Sequence, residues 1–265
     1  MKKTTKTAHP RARARDVELA LRKLIRPDKA EFLPGFFRAI PGGYGEGDQF
    51  LGVIVPDQRK IAKQFYELTI DELRKLLHSP WHECRLTAIF ILVNRFEVAL
   101  RKHQKLGQLS IAEKSEEETP QDWLEFFLSN LEGINNWDLV DSAAYKILGA
   151  YLVEFPKQKK ILNQLARTGN LWQERIAVVA TLALIKHDEF DEILQLAKRF
   201  LRHRHDLMHK AVGWMLREMG KRNVEVLRGF LSEHAVEMPR TMLRYSIEKL
   251  SRSERDKWLA VEHEG

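Results

Sequence analysis

Residues 136–148 read NWDLVDSAAYKIL, a polar start followed by an apolar run with helical spacing. The stretch recurs in outline as NLWQERIAVVATL (170–182) and HDLMHKAVGWML (205–216), so that Trp137, Trp172 and Leu207 stand 35 residues apart. A shorter helical pattern follows each copy. Helix pairs repeated at this period bury their apolar faces only against their neighbours, which predicts an all-α chain built as a HEAT-like α-solenoid with a concave face. Working outward, apolar periodicity predicts helices over 14–25, 30–40, 57–66, 70–78, 82–101, 120–131, 138–154, 158–167, 172–186, 190–202, 206–220, 223–233, 239–250 and 253–261. Ser79-Pro80, Asn136 and Asn170 supply start signals. Strand signals are nearly absent, the short apolar FLGVIVP (50–56) lying between a glycine-rich turn and Pro56.

Trp137, Trp172 and Leu207 set the register of the three copies. Asp141 then falls at position four, Arg175 at three and Trp214 at seven, all within about 60° of one line at 100° per residue. Two readings fit this stripe. The tryptophans pack between repeats and Asp141 pairs with Arg175 for structure, or the four line an aromatic and charged cleft. Two indoles, a carboxylate and a guanidinium are costly on a wall that need only be apolar, which favours the cleft. Asp138 lies about 100° around the helix from Trp137 and reads as a first-turn acid at the helix start.

Composition sets the outer limits. With 265 residues, 44% of them hydrophobic, the chain can bury a substantial core. Apolar runs fall short of the roughly 20 residues that span a bilayer, and MKKTTKTAHPRARARD carries charge with no apolar segment behind it, so no membrane association and an intracellular location are expected. One cysteine, Cys84, excludes a disulfide framework and a multi-thiolate metal site, and it reads as a buried thiol. The formal charge of +7 resides in residues 1–26, where nine Lys and Arg face two acids. Residues 1–15 accordingly read as a basic, disordered arm ahead of a single domain over 16–265. Two sequence features are discounted. HDLMH (205–209) imitates a zinc-binding helix, but no third ligand is evident and aspartate is too short for the general base, so no metal is expected. PGGYGEGD (41–48) lacks the Lys-Ser/Thr of a phosphate loop and reads as a tight turn needing positive φ.

The blocks PGGYGEGDQFLGVIVPDQRKIAK (41–63), NNWDLVDSAA (135–144), NLWQERIAVVATL (170–182), HKAVGWMLREMGK (209–221) and MPRTMLRYSIEKL (238–250) stand in an order that resembles bacterial DNA alkylation repair glycosylases of the AlkD type, over about residues 30–250. The resemblance implies a helical-repeat enzyme that grips duplex DNA and hydrolyses the N-glycosidic bond of N3- or N7-alkylated purines. It is expected to act as a cytoplasmic monomer without cofactor. Carried over residue by residue, the family's active-site tryptophan falls on Trp137, its essential aspartate on Asp141, its cleft arginine on Arg175 and its second aromatic wall on Trp214. Family members of this kind leave the lesion stacked rather than flipping it. Arg175 would then anchor phosphate, with Lys210, Arg217, Arg204 and Arg244 as further candidates. No lysine shares the register of Asp141, so lyase activity is not expected. The alternative is a non-catalytic repeat protein that binds damaged or branched DNA, and a third class is a protein-binding adaptor.

Overall fold

The computed structural model describes residues 12–106 and 118–261. Residues 1–11 of the expected arm lie outside that range, whereas Ala14 and Arg15 already belong to the first helix. The described residues form helices and connecting turns without a strand, and only an isolated parallel bridge joins Gln49 to Trp81. The chain divides into two compact units, one running to Arg95 and including Glu132–Ile134, the other comprising Phe96–Leu131 and the chain from Asn135 onward.

The first unit holds α1 (Ala14–Arg22), α2 (Pro27–Phe36), α3 (Val55–Gln64), α4 (Ile70–Leu77) and the start of α5 (His82–Leu106). Thr69 caps α4 by accepting from the Glu72 N–H. The glycine-rich stretch ahead of α3 is the expected turn, with Gly42 at φ 75° and Gly47 at φ 91°. Its end is held by buried charge. Arg85 reaches the Asp48 carboxylate at 2.6 Å, His82 approaches it at 3.1 Å, and buried Glu83 accepts from the N–H groups of Leu51 and Gly52 at 2.9 and 2.7 Å. Burial pushes the Asp48 carboxyl up, but His82 and Arg85 outweigh it and hold the group below the usual carboxylate range. Cys84 is buried and its thiol is pushed up to about 12, so it is not a reactive thiolate.

The second unit continues with α6 (Pro120–Leu128), α7 (Trp137–Ala143), α8 (Ala150–Glu154), α9 (Lys160–Leu165), α10 (Leu171–Ile185), α11 (Asp191–Arg199), α12 (Asp206–Arg222), α13 (Val224–His234), α14 (Arg240–Ser246) and α15 (Arg252–Leu259). Asn136 and Asn170 start α7 and α10 as expected, the first accepting from the Trp137 N–H at 2.8 Å and the second from Trp172 and Gln173 at 3.0 and 3.2 Å. From Glu174 to Ile185, α10 is buried all round, in line with its near-continuous apolar sequence. It packs against α7 on one side and α12 on the other, and α12 packs against α14, while α9, α11 and α13 lie against their sequence neighbours. Such stacking of each helix pair on the next is the arrangement of an α-solenoid, so the expected fold class holds.

The expectation of one helix over 138–154 needs correction. A wide π turn, Tyr145–Gly149, separates α7 from α8, and the Gly149 N–H donates to the Ala144 carbonyl at 2.9 Å, five residues back. The turn coincides with a close approach between backbones. A Cβ on Gly149 would stand 2.3 Å from the Ala180 carbonyl oxygen, so only glycine lets this segment lie against α10. Gly213 plays the same part in α12, where a Cβ would fall 2.5 Å from both the Met242 carbonyl oxygen and the Tyr245 Cβ on α14.

Candidate active site

The register stripe brings two of its residues into direct contact. The Arg175 guanidinium, one turn beyond the first residue of α10, donates from Nε to Asp141 Oδ1 at 3.1 Å and from Nη2 to Oδ2 at 2.9 Å, across to α7. Its Nη1 donates to the Leu207 carbonyl at 2.6 Å on α12. One side chain thus ties three consecutive repeats together. The pair is unequal in exposure, since the Arg175 side chain is 5% accessible and that of Asp141 is 21%. The guanidinium is sealed in, while the carboxylate keeps an open edge.

Burial pushes the Asp141 carboxyl above the usual carboxylate range; Arg175 pulls it down and Asp138 adds a smaller push upward. Near neutrality, the arginine offsets part of the cost of keeping a charge in this position. Trp137 stands one turn before Asp141 on α7 and is half-buried. Trp214 is also half-buried and lies two turns beyond Leu207 on α12.

Upstream of α12, histidines hold the backbone. The Leu207 N–H donates to His205 Nδ1 at 3.1 Å, making His205 the N-cap of α12. The His205 N–H donates to His203 Nδ1 at 3.0 Å, which leaves the Nε2–H of His203 to meet buried Glu174 at 3.0 Å. His209 Nε2 faces the His203 carbonyl. HDLMH is therefore a capping and loop-holding element.

The proposed phosphate contacts divide by environment. Arg204 and Arg244 are exposed. Lys210 pairs with Asp206 at 2.7 Å, and Arg217 is drawn to Glu248 and Glu218. Arg175, with all three nitrogens engaged inside the protein, is not presented to a phosphate in this structure. Sequence reasoning passed over two features here. The Leu207 carbonyl has no side-chain signature. Tyr145 did have one, because it sits four residues beyond Asp141, and Lys186 brings its ammonium to 5.0 Å from the Tyr145 ring centroid.

The fold and this pair together define a stacked helical-repeat protein whose open carboxylate is gripped from a neighbouring repeat. The family model for DNA alkylation repair enzymes matches residues 17–250, and the chain belongs to that family. Its fold is similar to the solved structure of a predicted DNA alkylation repair enzyme from Enterococcus faecalis, with a TM-score of 0.65 at 16% identity, covering 86% of this chain and 97% of that one. Among curated proteins, none matches. No helix among the described residues is long and apolar enough to cross a membrane.

Proposed function

We propose that the protein is a monofunctional DNA glycosylase that releases N3- and N7-alkylated purines from duplex DNA, with the helix stack as a HEAT-like cradle and Asp141 at the reacting sugar. The observation that carries this reading is the unequal burial of the Asp141–Arg175 pair, which leaves a fixed, partly open carboxylate on a stripe that also carries Trp137 and Trp214. An alkylated purine is already cationic, so its glycosidic bond breaks without protonation of the leaving group. The electron pair of the C1′–N bond goes to the base, which leaves neutral, and positive charge develops on the deoxyribose. Water adds at C1′ and releases a proton. Asp141 supplies a negative charge held in place before the reaction, and the electron-rich faces of the two indoles add to it.

On this reading Arg175 is a positioning residue. It fixes both carboxylate oxygens and favours their ionised form against burial, instead of serving as the phosphate anchor expected from sequence. A site of this kind acts on a lesion that stays stacked in the duplex. Phosphate contacts then fall to exposed bases, Arg204 and Arg244 first among them, with Lys210 and Arg217 requiring exchange of their present carboxylate partners.

One observation favours a second reading, a non-catalytic protein that binds damaged or branched DNA. The Asp141–Arg175 pair is complete in itself, as a structural ion pair would be. Incubation with duplex containing 7-methylguanine separates the two. The glycosylase reading requires base release by the wild type and its loss in Asp141→Asn; absence of release by the wild type, or an equal rate in the variant, overturns it.

A further inference from the structure

Arg175 and its neighbour Glu174 reach from α10 to the two ends of one short segment. Arg175 donates to the Leu207 carbonyl at 2.6 Å, and buried Glu174 meets His203 Nε2 at 3.0 Å. Between those ends the segment is held by its own side chains. His203 Nδ1 accepts from the His205 N–H at 3.0 Å, and His205 Nδ1 accepts from the Leu207 N–H at 3.1 Å. Starting at Glu174, the contacts therefore run through His203, His205 and Leu207 and return to α10 at the very next residue, Arg175. With Nδ1 as acceptor, His203 carries its proton on Nε2, and the Glu174 carboxylate is the acceptor that meets it. The His203 ring also packs at 79° to that of Phe200, with centroids 5.6 Å apart, and its carbonyl faces His209 Nε2. Apolar side chains would suffice to pack α10, and burying a carboxylate among them is unfavourable, so packing does not by itself account for Glu174.

We infer that Glu174 and His203 are positioning residues for Asp141. They fix the start of α12, which places the Leu207 carbonyl, and that carbonyl keeps the Arg175 guanidinium turned toward the Asp141 carboxylate. Neither residue acts on DNA directly. The inference rests on the reading of Asp141 as the group at the reacting sugar. One of its readouts is independent of activity, so failure of the glycosylase reading and failure of the positioning role can be told apart.

The two readouts are single-turnover release of 7-methylguanine from duplex DNA and titration of the Asp141 carboxyl, followed by NMR at its Cγ. Glu174→Ala is expected to slow release by up to about 100-fold with duplex affinity little changed. It should also move the Asp141 titration further upward, because a loosened Arg175 no longer opposes burial. Glu174→Gln keeps an acceptor for the His203 Nε2–H and should restore both values. Arg175→Lys keeps the charge and loses the fork, so adding Glu174→Ala to it should change neither readout further. His203→Asn retains an acceptor near Nδ1 but falls short of Glu174; it should behave as Glu174→Ala does, and it carries the test if Glu174→Ala does not fold. A wild type that releases no base overturns the glycosylase reading, while a shifted Asp141 titration in the variants still supports the positioning role. That role is overturned by an Asp141 titration at its wild-type value in folded Glu174→Ala or His203→Asn, or by an equal effect of Glu174→Ala with and without Arg175→Lys.

Discussion

Arg175 holds Asp141 by both carboxylate oxygens, at 3.1 and 2.9 Å, while its remaining nitrogen is fixed by the Leu207 carbonyl at 2.6 Å. The arginine can therefore neither turn to solvent nor release the aspartate without breaking a contact to a third helix. Removing Arg175 would leave Asp141 deprived of its counter-charge. Arg175→Ala is expected to cost about 3 kcal/mol or more of stability, and Arg175→Ala/Asp141→Asn to cost less than the sum of the two single variants. Urea unfolding of the four proteins measures this coupling, and strict additivity would deny it.

For catalysis the same pair predicts a different ranking. Asp141→Asn should lower base release by about 10²- to 10³-fold, with duplex affinity little changed, because the lost charge acts on the transition state. Single-turnover release from 7-methylguanine duplex, corrected for spontaneous loss, is the measurement.

The Asp141 carboxyl is raised by burial above its ordinary value near about 4. If the ionised form is the active one, activity is full above the raised value and falls as acid protonates the group, so the acid limb should lie above pH ~4. The stability contribution has the opposite sense. It is present below the ordinary pKa and is lost as pH rises through the raised one. A pH profile of single-turnover release, with its acid limb at the value of a free carboxylate, would count against Asp141.

His205 gives a separate pH signature. Burial is the largest cause that holds its pKa below the ordinary value, although Asp206 pulls the other way. Only the neutral ring can accept the Leu207 N–H at Nδ1. The cap therefore contributes fully above pH ~6.5 and is lost as pH falls through the depressed value. His205→Ala should cost about 1 kcal/mol at neutral pH, whereas His205→Asn should keep the cap and flatten this part of the stability profile. Chemical denaturation at several pH values distinguishes them.

Close packing predicts opposite outcomes for two glycines. Gly213→Ala drives a methyl into the Met242 carbonyl and Tyr245, for about 1–3 kcal/mol of destabilisation. Gly229, inside α13, has nothing within 4 Å of a would-be Cβ, so Gly229→Ala should stabilise by about 0.5–1 kcal/mol. Thermal unfolding of the two variants reads the difference.

Salt dependence sorts the phosphate candidates. Arg204→Gln and Arg244→Gln should each lower the slope of log K against log salt by about 0.9, whereas Arg217→Gln, already paired with Glu248 and Glu218, should change it less. Equal slopes for all three would remove the distinction between exposed and engaged bases.

The sequence alone determined the helical architecture, because apolar periodicity and capping residues act within a few residues of chain. Asn136 and Asn170 announce α7 and α10, and the 35-residue spacing aligns the helices that carry Asp141 and Arg175 one turn beyond their first residues. It also determined that these two residues share a stripe, since register follows from helical period. Only the tertiary structure decided what they do there. That Arg175 grips Asp141 and the Leu207 carbonyl, that Arg217 turns to Glu248, and that Lys186 settles on Tyr145 are outcomes of side chains meeting across helices 31 to 41 residues apart in sequence. The π turn at Tyr145–Gly149 belongs with them, because it coincides with a backbone contact to Ala180 on another helix. Helical period fixes the direction in which a residue faces; which partner satisfies its charge depends on packing between elements, where burial and competing hydrogen bonds decide.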